Sequence, residues 1–497
     1  MSTVTDLAPP ARPAIRWNIV LLQLVFVYLI GLRLWFDLSV PPMGDEAYYW
    51  MWGQHLSWSY FDHPPLDGWL QGAIAAIFGW SNFSVRILTW LSLGGTLWIF
   101  WLWSARLAPD DRQGWFWHTA VIYLTMPVIA LMTTIAFHDH LLLFFLVASA
   151  YVFHGFAGDW EDGRRSWGKL YLAAALLGLA VLTKYNGVFL GLAYAVWVLA
   201  RPKLRGLFLT PHLWLAALLA IAIQAPVFYW NLTEGLASFR FHLTERPTVA
   251  WNRARPSQVA DFLGTMVAFI SPVLFLSLFR IPFVKRRSPD EGRALGLAGV
   301  TFLTSTLCWA VIAVYVFVFF HWNIVAYAAL APIAYRLVGK YFAWLHIAFG
   351  LLIITPGLMS YTLTPMNLLG YRDAGAAASY GWPEIAARVE AQQQAHPDAF
   401  VAAARYNYAA QLGFELHDAG VAAFNHTPSQ NDYWWDSAAH RGRDAIIVAD
   451  SATLSTIAEA RDRFASLDKL EDVPVTDSLG NTVWTFEIWL GRDYRPQ

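Results

Sequence analysis

The chain has 497 residues, of which 57% are hydrophobic, 16% aromatic and only 14% charged, and its mean hydropathy is +0.40. This composition is too apolar for a soluble protein of this length, so lipid is the expected solvent for much of the chain. The formal net charge of -1 gives no indication of a nucleic-acid partner, and the single cysteine, Cys308, excludes an intramolecular disulfide framework.

The first apolar stretch begins after sixteen polar, proline-rich residues, and Arg12 and Arg16 precede it. It has no small-residue cleavage site behind it, so we predict a retained transmembrane helix. Apolar runs of about twenty residues predict about eleven spans in total. They cover residues 17–36, 84–103, 115–132, 140–157, 170–183, 185–200, 211–229, 259–279, 295–320, 323–336 and 341–360.

Lysine and arginine concentrate in alternate connections, around residues such as Arg106, Arg164 and Arg286. This bias places these loops and the N-terminus in the cytoplasm. An odd number of spans then puts the C-terminus on the periplasmic side of the inner membrane. The predicted fold class is a mainly α, polytopic membrane domain over residues 1–360, followed by a small soluble α/β domain over residues 361–497.

The C-terminal segment differs from the rest in its patterning. Residues 382–395 and 452–464 have the periodicity of amphipathic helices, whereas residues 399–406 and 445–450 resemble strands. The sequence LGN before TVWTFEIWL predicts a terminal hairpin.

The first connection on the predicted outer side, residues 37–83, is too long and too rich in aromatic residues for a simple link. It contains the adjacent carboxylates Asp45 and Glu46. Such a pair just beyond a membrane helix suits glycosyl transfer, because one carboxylate can deprotonate an acceptor hydroxyl while the other holds it. The alternative interpretation is a solvated loop face.

The next outer turn reads FHDHL, and we select Asp139 as a further acidic candidate. An interfacial helix cap is the simpler alternative. Two histidines and an aspartate are also reasonable metal ligands, but the spacing of His138, Asp139 and His140 does not by itself bring three ligands to one ion.

The outer loop around residues 230–258 carries cations against the positive-inside trend, among them Arg240 and Arg246. Phosphate groups on a lipid carrier would explain them, and contact with anionic lipid head groups is the alternative. Lys184 in TKYNG and His321 in HWN fall in the same layer. They are candidate phosphate ligands or interfacial anchors.

The motifs DEAYYW, YFDHPPL, LTKYNG, YWNLTEGLASFRF, HWNIVAY, ARYNYAAQLGFEL and PSQNDYWWD occur in this order. The chain therefore resembles the bacterial branch of the dolichyl-phosphate-mannose protein mannosyltransferase and aminoarabinose transferase superfamily, which has a GT-C fold. The resemblance implies an integral enzyme that uses a polyprenyl-phosphate sugar, with no obligatory metal or other cofactor. It carries Asp45 over as the catalytic carboxylate, Glu46 as its partner, and His63 onto the position of a lysine near the carrier phosphate.

Two departures from this pattern concern the substrate. The chain reads DEAYY where aminoarabinose transferases read DEARY, so Tyr48 replaces an arginine. His63 in place of lysine makes a phosphate contact depend on pH or on a neutral hydrogen bond. We include Tyr48 and Tyr60 among the candidate substrate-binding residues, and the sugar stays open.

The predicted function is sugar transfer from a polyprenyl-phosphate carrier to an envelope acceptor, either lipid A, lipopolysaccharide or another glycan. The expected partners are this donor, a glycolipid, glycan or protein acceptor, and the bilayer, without nucleic acid. A protein O-glycosyltransferase is one alternative. A transporter of lipid-linked sugars is another, but it predicts ionisable residues near the bilayer midplane, whereas here they collect in the outer loops.

Overall fold

The helices form the larger part of the protein, which is described here by a computed structural model covering residues 16–242, 257–368, 370–425, 428–450 and 457–496. They are α1 (Trp17–Ser39), α2 (Gly44–Gln54), α3 (Leu66–Phe78), α4 (Asn82–Leu107), α5 (Arg112–Leu124), α6 (Pro127–Thr134), α7 (Asp139–Glu161), α8 (Trp167–Thr183), α9 (Val188–Ala200), α10 (Pro211–Ala222), α11 (Ala225–Thr233), α12 (Ala237–Arg240), α13 (Ser257–Ile270), α14 (Pro272–Leu278), α15 (Pro289–Ile312), α16 (Ile324–Val338), α17 (Lys340–Thr362), α18 (Ala374–Ala377), α19 (Trp382–Ala395) and α20 (Tyr406–Leu416).

Within these ranges, five helices are long and apolar enough to cross a membrane, namely α1, α4, α7, α15 and α17. Three bent helix pairs raise this number to eight if each pair is one span. The mainly helical membrane architecture is therefore confirmed, but the predicted count of about eleven spans is not.

The bends explain part of this difference. The angle between consecutive helices is 79° for α5 and α6, 46° for α10 and α11, and 106° for α13 and α14. The second helix of each pair has a proline in its first two positions. Proline lacks the N–H that would continue the preceding helix, so each run breaks there although its hydropathy is continuous. At the sharpest break, Ser271 has a φ of 84°.

The centre of the bundle is formed by α16, in which Ile324, Tyr327, Leu330 and Ile333 are completely buried. Close backbone approaches fix the surrounding helices. In α17, a Cβ at Gly350 would overlap the carbonyl oxygen of Thr125, at the junction between α5 and α6. This glycine lets α17 lie directly against the bend.

The C-terminal region contains a five-stranded sheet in the order β4-β3-β5-β7-β6. The strands of the region are β1 (Asn367–Leu368), β2 (Tyr371–Arg372), β3 (Phe400–Ala403), β4 (Ala422–Ala423), β5 (Ala445–Asp450), β6 (Phe464–Thr476) and β7 (Thr482–Tyr494). The small α/β unit, the helix over 382–395 and the hairpin turning at LGN agree with the sequence prediction. Of the helix predicted over 452–464, residues 452–456 lie outside the described residues. The remainder forms two short 3-10 turns before β6 instead of a helix.

The C-terminal unit packs on the first connection of the bundle through α20 and α2. Gln411 donates its amide to the Pro42 carbonyl at 3.2 Å, and His55 stacks on Trp434 with ring centroids 4.6 Å apart. Gly44 leaves room for Asn407, whose Cβ would be only 2.9 Å from an added Cβ. The end of the bundle that holds α2 is therefore covered by the C-terminal unit.

The contact at Gly350 leads to a stability prediction. We expect Gly350→Ala to lower the thermal unfolding midpoint of the purified protein in detergent, because an added methyl group in a closed contact costs about 1–3 kcal/mol or more. Gly357→Ala is the matched control, since the same helix has open space at that position. Equal midpoints for the two variants would contradict the close approach of α17 to Thr125.

Candidate functional site

Glu46, in the first turn of α2, is completely buried in an ion pair with Arg86 of α4. The guanidinium donates from Nε to Oε1 at 2.9 Å and from Nη2 to Oε2 at 2.6 Å. The backbone N–H groups of Met43 and Ala136 donate to the same carboxylate at 3.0 and 2.7 Å. Both oxygens of Glu46 are thus occupied by protein groups.

Asp45, the neighbouring residue, has a different environment. It is half-buried, and the hydroxyl of Tyr406 in the C-terminal unit lies 3.5 Å from its Oδ1. Burial raises the pKa of Asp45 above its ordinary value, although His138, Tyr406, Arg405 and Lys184 oppose this shift. A carboxylate with a raised pKa is a better proton acceptor near neutral pH.

Tyr49 is influenced by three carboxylates, those of Asp45, Asp62 and Asp139. It lies one helical turn after Asp45, so the two side chains share a face of α2. Burial, followed by the charges of Asp45 and Asp62, raises the pKa of Tyr49, and Asp139 adds to this effect. Residues far apart in the sequence therefore converge around one phenol.

The two tyrosines selected from the sequence are bonded within the protein. Tyr48 donates to Asp62 Oδ2 at 2.6 Å and accepts the N–H of Gln430 at 2.7 Å. Tyr60 donates to the carbonyl of Trp52 at 2.8 Å and stacks on that indole with a centroid distance of 4.3 Å. Tyr48 joins the first connection to the C-terminal unit, and Tyr60 holds its backbone in place.

Lys184 and Asp139 form a second buried ion pair, with Nζ 2.7 Å from Oδ2. Lys184 follows α8 directly and Asp139 begins α7, so this pair joins two helix ends. His321, in the 3-10 turn Phe320–Asn323, acts electrostatically on Asp139. The structure thus brings these three sequence-selected residues together.

A third cluster contains Asp67, at the start of α3, with His138 and His140. Asp67 Oδ2 is 3.0 Å from His138 Nδ1, and its Oδ1 is 3.9 Å from His140 Nε2. The ring of His63 lies edge-on to His138 at 4.6 Å. Among the described residues, no group of three or more His, Cys, Asp or Glu side chains is arranged to hold a metal ion.

Two arginines near this end have no ion-pair partner within the described ranges. Arg240 is exposed at the end of α12, and Arg405 is half-buried just before α20. The other arginine selected from this loop, Arg246, lies outside the described residues. His242, close to Arg240, has Nε2 2.7 Å from the carbonyl oxygen of Asp62.

An apolar cavity of about 590 Å³ runs between α8, α9, α10 and α11. Ala173, Ala217, Phe228 and Phe239 are among the residues that line it, and Tyr185 closes the end next to Lys184. The Tyr185 hydroxyl is 3.0 Å from Ser238 Oγ. The cavity therefore leads from the apolar part of the bundle to the charged cluster.

Sequence reasoning did not select Arg405, Tyr406 or Asp67. The first two directly follow β3, and the carboxyl ends of parallel strands are common places for binding residues. The strand-like pattern that precedes Arg405 and Tyr406 could therefore have indicated them from the sequence alone. Asp67 follows HPPL, and its histidine partners are about seventy residues away, so only the tertiary structure reveals the cluster.

Residues 62–230 match the sequence profile of the dolichyl-phosphate-mannose-protein mannosyltransferase family. Lipid A galacturonosyltransferase RgtD of Rhizobium johnstonii is 26% identical over 329 residues, covering 64% of this chain and 65% of RgtD. Lipopolysaccharide core galacturonosyltransferase RgtB of the same organism is 28% identical over 285 residues, or 56% of each protein. The chain thus spans less than two thirds of the length of these relatives.

The crystal structure of ArnT from Cupriavidus metallidurans bound to undecaprenyl phosphate covers 97% of this chain and all of that one, with a TM-score of 0.64 and 16% identity. The apo form of ArnT gives a TM-score of 0.63. The fold is therefore that of a GT-C membrane protein. The resemblance predicted from the sequence, to the superfamily of the protein mannosyltransferases and aminoarabinose transferases, is confirmed.

The contrast between the two adjacent carboxylates gives a prediction about stability. We expect Glu46→Gln to lower the thermal unfolding midpoint strongly, because breaking a buried ion pair on one side costs about 3–5 kcal/mol. Asp45→Asn should leave the midpoint within error of the wild type, since Asp45 has no ion pair within 4 Å in the described chain. A stable Glu46→Gln variant would contradict the structural importance of the pair with Arg86.

Proposed function

We propose that the chain is a membrane glycosyltransferase that transfers a sugar from a polyprenyl-phosphate carrier to an envelope glycolipid. The observation that supports this most directly is the position of Asp45. It is a half-buried carboxylate with a raised pKa, and it lies in the same charged cluster as Lys184, at which the apolar cavity ends. A lipid-linked donor requires this combination of a proton acceptor, a cationic zone and an apolar cavity.

The cavity would hold the first part of the carrier chain. Its volume of about 590 Å³ is within the range of about 300–1,000 Å³ for small-molecule sites, and its lining is almost entirely apolar. Tyr185 at its end would lie beside the carrier phosphate. The chain beyond the cavity would continue into the bilayer.

The leaving phosphate would be bound by cations from several parts of the chain. Lys184, His321 and His63 come from the bundle and its first connection. Arg240 lies at the edge of the same region. Preorganised cations directed at the developing phosphate charge are the main source of rate acceleration in such transfers.

The reaction would be a single displacement. The acceptor hydroxyl attacks the anomeric carbon, and its proton passes to Asp45. The new bond from oxygen to the anomeric carbon forms while the bond to the carrier phosphate breaks. The bonding electrons leave with the phosphate oxygen, whose charge the cations stabilise.

The names of the relatives suggest which sugar and acceptor to test first. RgtD and RgtB are described as galacturonosyltransferases for lipid A and the lipopolysaccharide core. We therefore take polyprenyl-phosphate galacturonic acid as the first donor and lipid A or core oligosaccharide as the first acceptors. The carboxylate of this sugar would suit Arg405, which has no ion pair in the described part of the chain.

This chemistry also suggests an orientation. The bundle end opposite Asp45 carries basic residues, including Lys169, Arg201 and Arg336. By the positive-inside rule this end would face the cytoplasm. The active site would then face the periplasm, and the C-terminal unit would cover the donor.

We expect Asp45→Asn to reduce the turnover number at least about 100-fold, because a general base contributes about 10²–10⁴-fold to the rate. The assay is transfer from polyprenyl-phosphate galacturonic acid to lipid A by purified protein in detergent. Asp110→Asn is the control, because this exposed carboxylate lies at the opposite end of the bundle. Full turnover by Asp45→Asn would mean that another group accepts the proton, and an inactive wild type would contradict the proposed substrates.

Filling the cavity should separate binding of the lipid tail from the chemistry. We expect Ala217→Trp to raise the KM for a long-chain donor about 10-fold or more, since a bulky group in a binding site removes contacts worth more than 1.4 kcal/mol. A donor with only two or three isoprene units would fill only the end of the cavity beside Tyr185, so its KM should be raised less. The control is Leu218→Trp, which lies on the same helix and is exposed outside the cavity. Equal effects on long and short donors would contradict the assignment of the cavity to the carrier tail.

A further inference from the structure

Tyr406 is the residue through which the C-terminal unit contacts the proposed general base. It is the first residue of α20, and its hydroxyl lies 3.5 Å from Asp45 Oδ1. Within the described ranges, no other group forms a hydrogen bond with the Asp45 carboxyl. The reaction described above gives this hydroxyl no part, although it is the nearest polar neighbour of the base.

Two successive contacts hold the beginning of α20 against the beginning of α2. Asn407 fills the space beside Gly44, where an added Cβ would lie 2.9 Å from the Asn407 Cβ. In the preceding position of α20, Tyr406 lies beside Asp45, the residue that follows Gly44. The glycine at position 44 thus allows the close approach that brings the Tyr406 hydroxyl to the carboxyl.

The ring of Tyr406 packs against Tyr48, with 4.6 Å between the ring centroids and 52° between the ring planes. Tyr48 is itself held from two sides, since its hydroxyl donates to Asp62 Oδ2 at 2.6 Å and accepts the backbone N–H of Gln430 at 2.7 Å. Asp62 belongs to the first connection and Gln430 to the C-terminal unit. The ring of Tyr406 therefore rests on a side chain that both parts of the protein fix in place.

The surrounding charges keep the Tyr406 hydroxyl protonated. The negative charge of Asp45 raises the pKa of Tyr406 most, followed by burial and by the charge of Asp62. An ionised carboxylate can only accept hydrogen bonds, so the hydroxyl is the donor in the contact with Asp45. The distance of 3.5 Å is long for such a bond. Catalytic hydrogen bonds often shorten in this way only when the substrate binds.

We propose that Tyr406 is a positioning residue, which donates to Oδ1 of Asp45 and leaves Oδ2 to accept the proton of the acceptor hydroxyl. One oxygen of the general base is then held by the C-terminal unit, and the other is available to the substrate. The active site is therefore complete only when the C-terminal unit is docked on the bundle. This inference rests on the proposed glycosyl transfer with Asp45 as the base.

The contact also affects the pH range in which Asp45 can act. Burial raises the pKa of Asp45, whereas a hydrogen bond to its ionised form lowers it. Removing the Tyr406 hydroxyl therefore raises the pKa of Asp45 further. The other ionisable groups of this region remain in such a variant. They are Glu46 in its ion pair with Arg86, Tyr48 and Tyr49 on α2, Asp62 in the first connection, His138 before α7, Asp139 paired with Lys184, and Arg405 before α20.

The test compares pH profiles of the turnover number at saturating donor for the wild type, Tyr406→Phe and Tyr408→Phe. Asp45 must be ionised to accept a proton, so turnover falls on the acid side of the profile. We expect Tyr406→Phe to move this acid limb to higher pH by about 0.5 unit or more, because the ionised form loses a hydrogen bond. Turnover above the limb should fall at least about 3-fold, since the base is less well oriented, with KM for the donor little changed.

Tyr408→Phe is the matched control. Tyr408 lies on the same helix and loses the same group, but its hydroxyl donates to Asp450 Oδ2 at 2.6 Å inside the C-terminal unit. The acid limb of this variant should coincide with that of the wild type. An unchanged limb in Tyr406→Phe, or the same shift in both variants, would overturn the proposal.

A fluorinated tyrosine at position 406 tests the same contact without removing the hydroxyl. Its phenol is more acidic and donates a stronger hydrogen bond, so the acid limb should move to lower pH instead. Because this side chain differs from tyrosine by one small atom, it also serves if Tyr406→Phe does not fold. A limb that stays in place or moves to higher pH contradicts the proposed role.

The wild type and Asp45→Asn separate this inference from the proposed function. If the wild type transfers no sugar, the proposed function itself fails. If the wild type is active, Asp45→Asn is inactive and the acid limb does not depend on Tyr406, the glycosyltransferase assignment stands and the positioning role is wrong.

Discussion

The buried ion pair between Glu46 and Arg86 is the contact on which the rest of the site depends. Arg86 also donates to the carbonyl of Val40 at 2.7 Å, so it fixes the turn between α1 and α2. Glu46 accepts the N–H of Ala136 at 2.7 Å and so fixes the turn before α7. One pair thereby sets the positions of Asp45 and of the segment that contains His138. The ion pair of Glu46 and Arg86 therefore holds in place Asp45, which has no ion pair among the described residues.

The second requirement is the C-terminal unit. The side-chain oxygen of Gln430 accepts the N–H of Phe61 at 2.6 Å, and its backbone N–H donates to the Tyr48 hydroxyl. The C-terminal unit therefore fixes the first connection of the bundle. Tyr406 of the same unit lies 3.5 Å from Asp45 Oδ1, and the charge of Arg405 opposes the rise in the pKa of Asp45. The candidate site is thus divided between an apolar bundle with a cavity and a polar unit that covers Asp45. Neither part contains all of the charges that act on Asp45.

Much of this arrangement could be predicted from the sequence. Hydropathy predicted the membrane helices, and the outer loops predicted that Lys184 and His321 lie in the same layer as the loop that contains Asp45. The bends before Pro127, Pro226 and Pro272 were missed because hydropathy averages over a proline. The partners of Glu46 and Asp67 were missed for another reason. They are about forty and seventy residues away, and no local pattern encodes such pairings.

The central claim is that one carboxylate, Asp45, accepts a proton in a single displacement while Glu46 remains in its ion pair with Arg86. The most direct test is the anomeric configuration of the product, measured by NMR after transfer from a donor of known configuration. A single displacement inverts the anomeric centre, so the product should have the configuration opposite to that of the donor. Retention of configuration would exclude a single inverting displacement and would contradict this account.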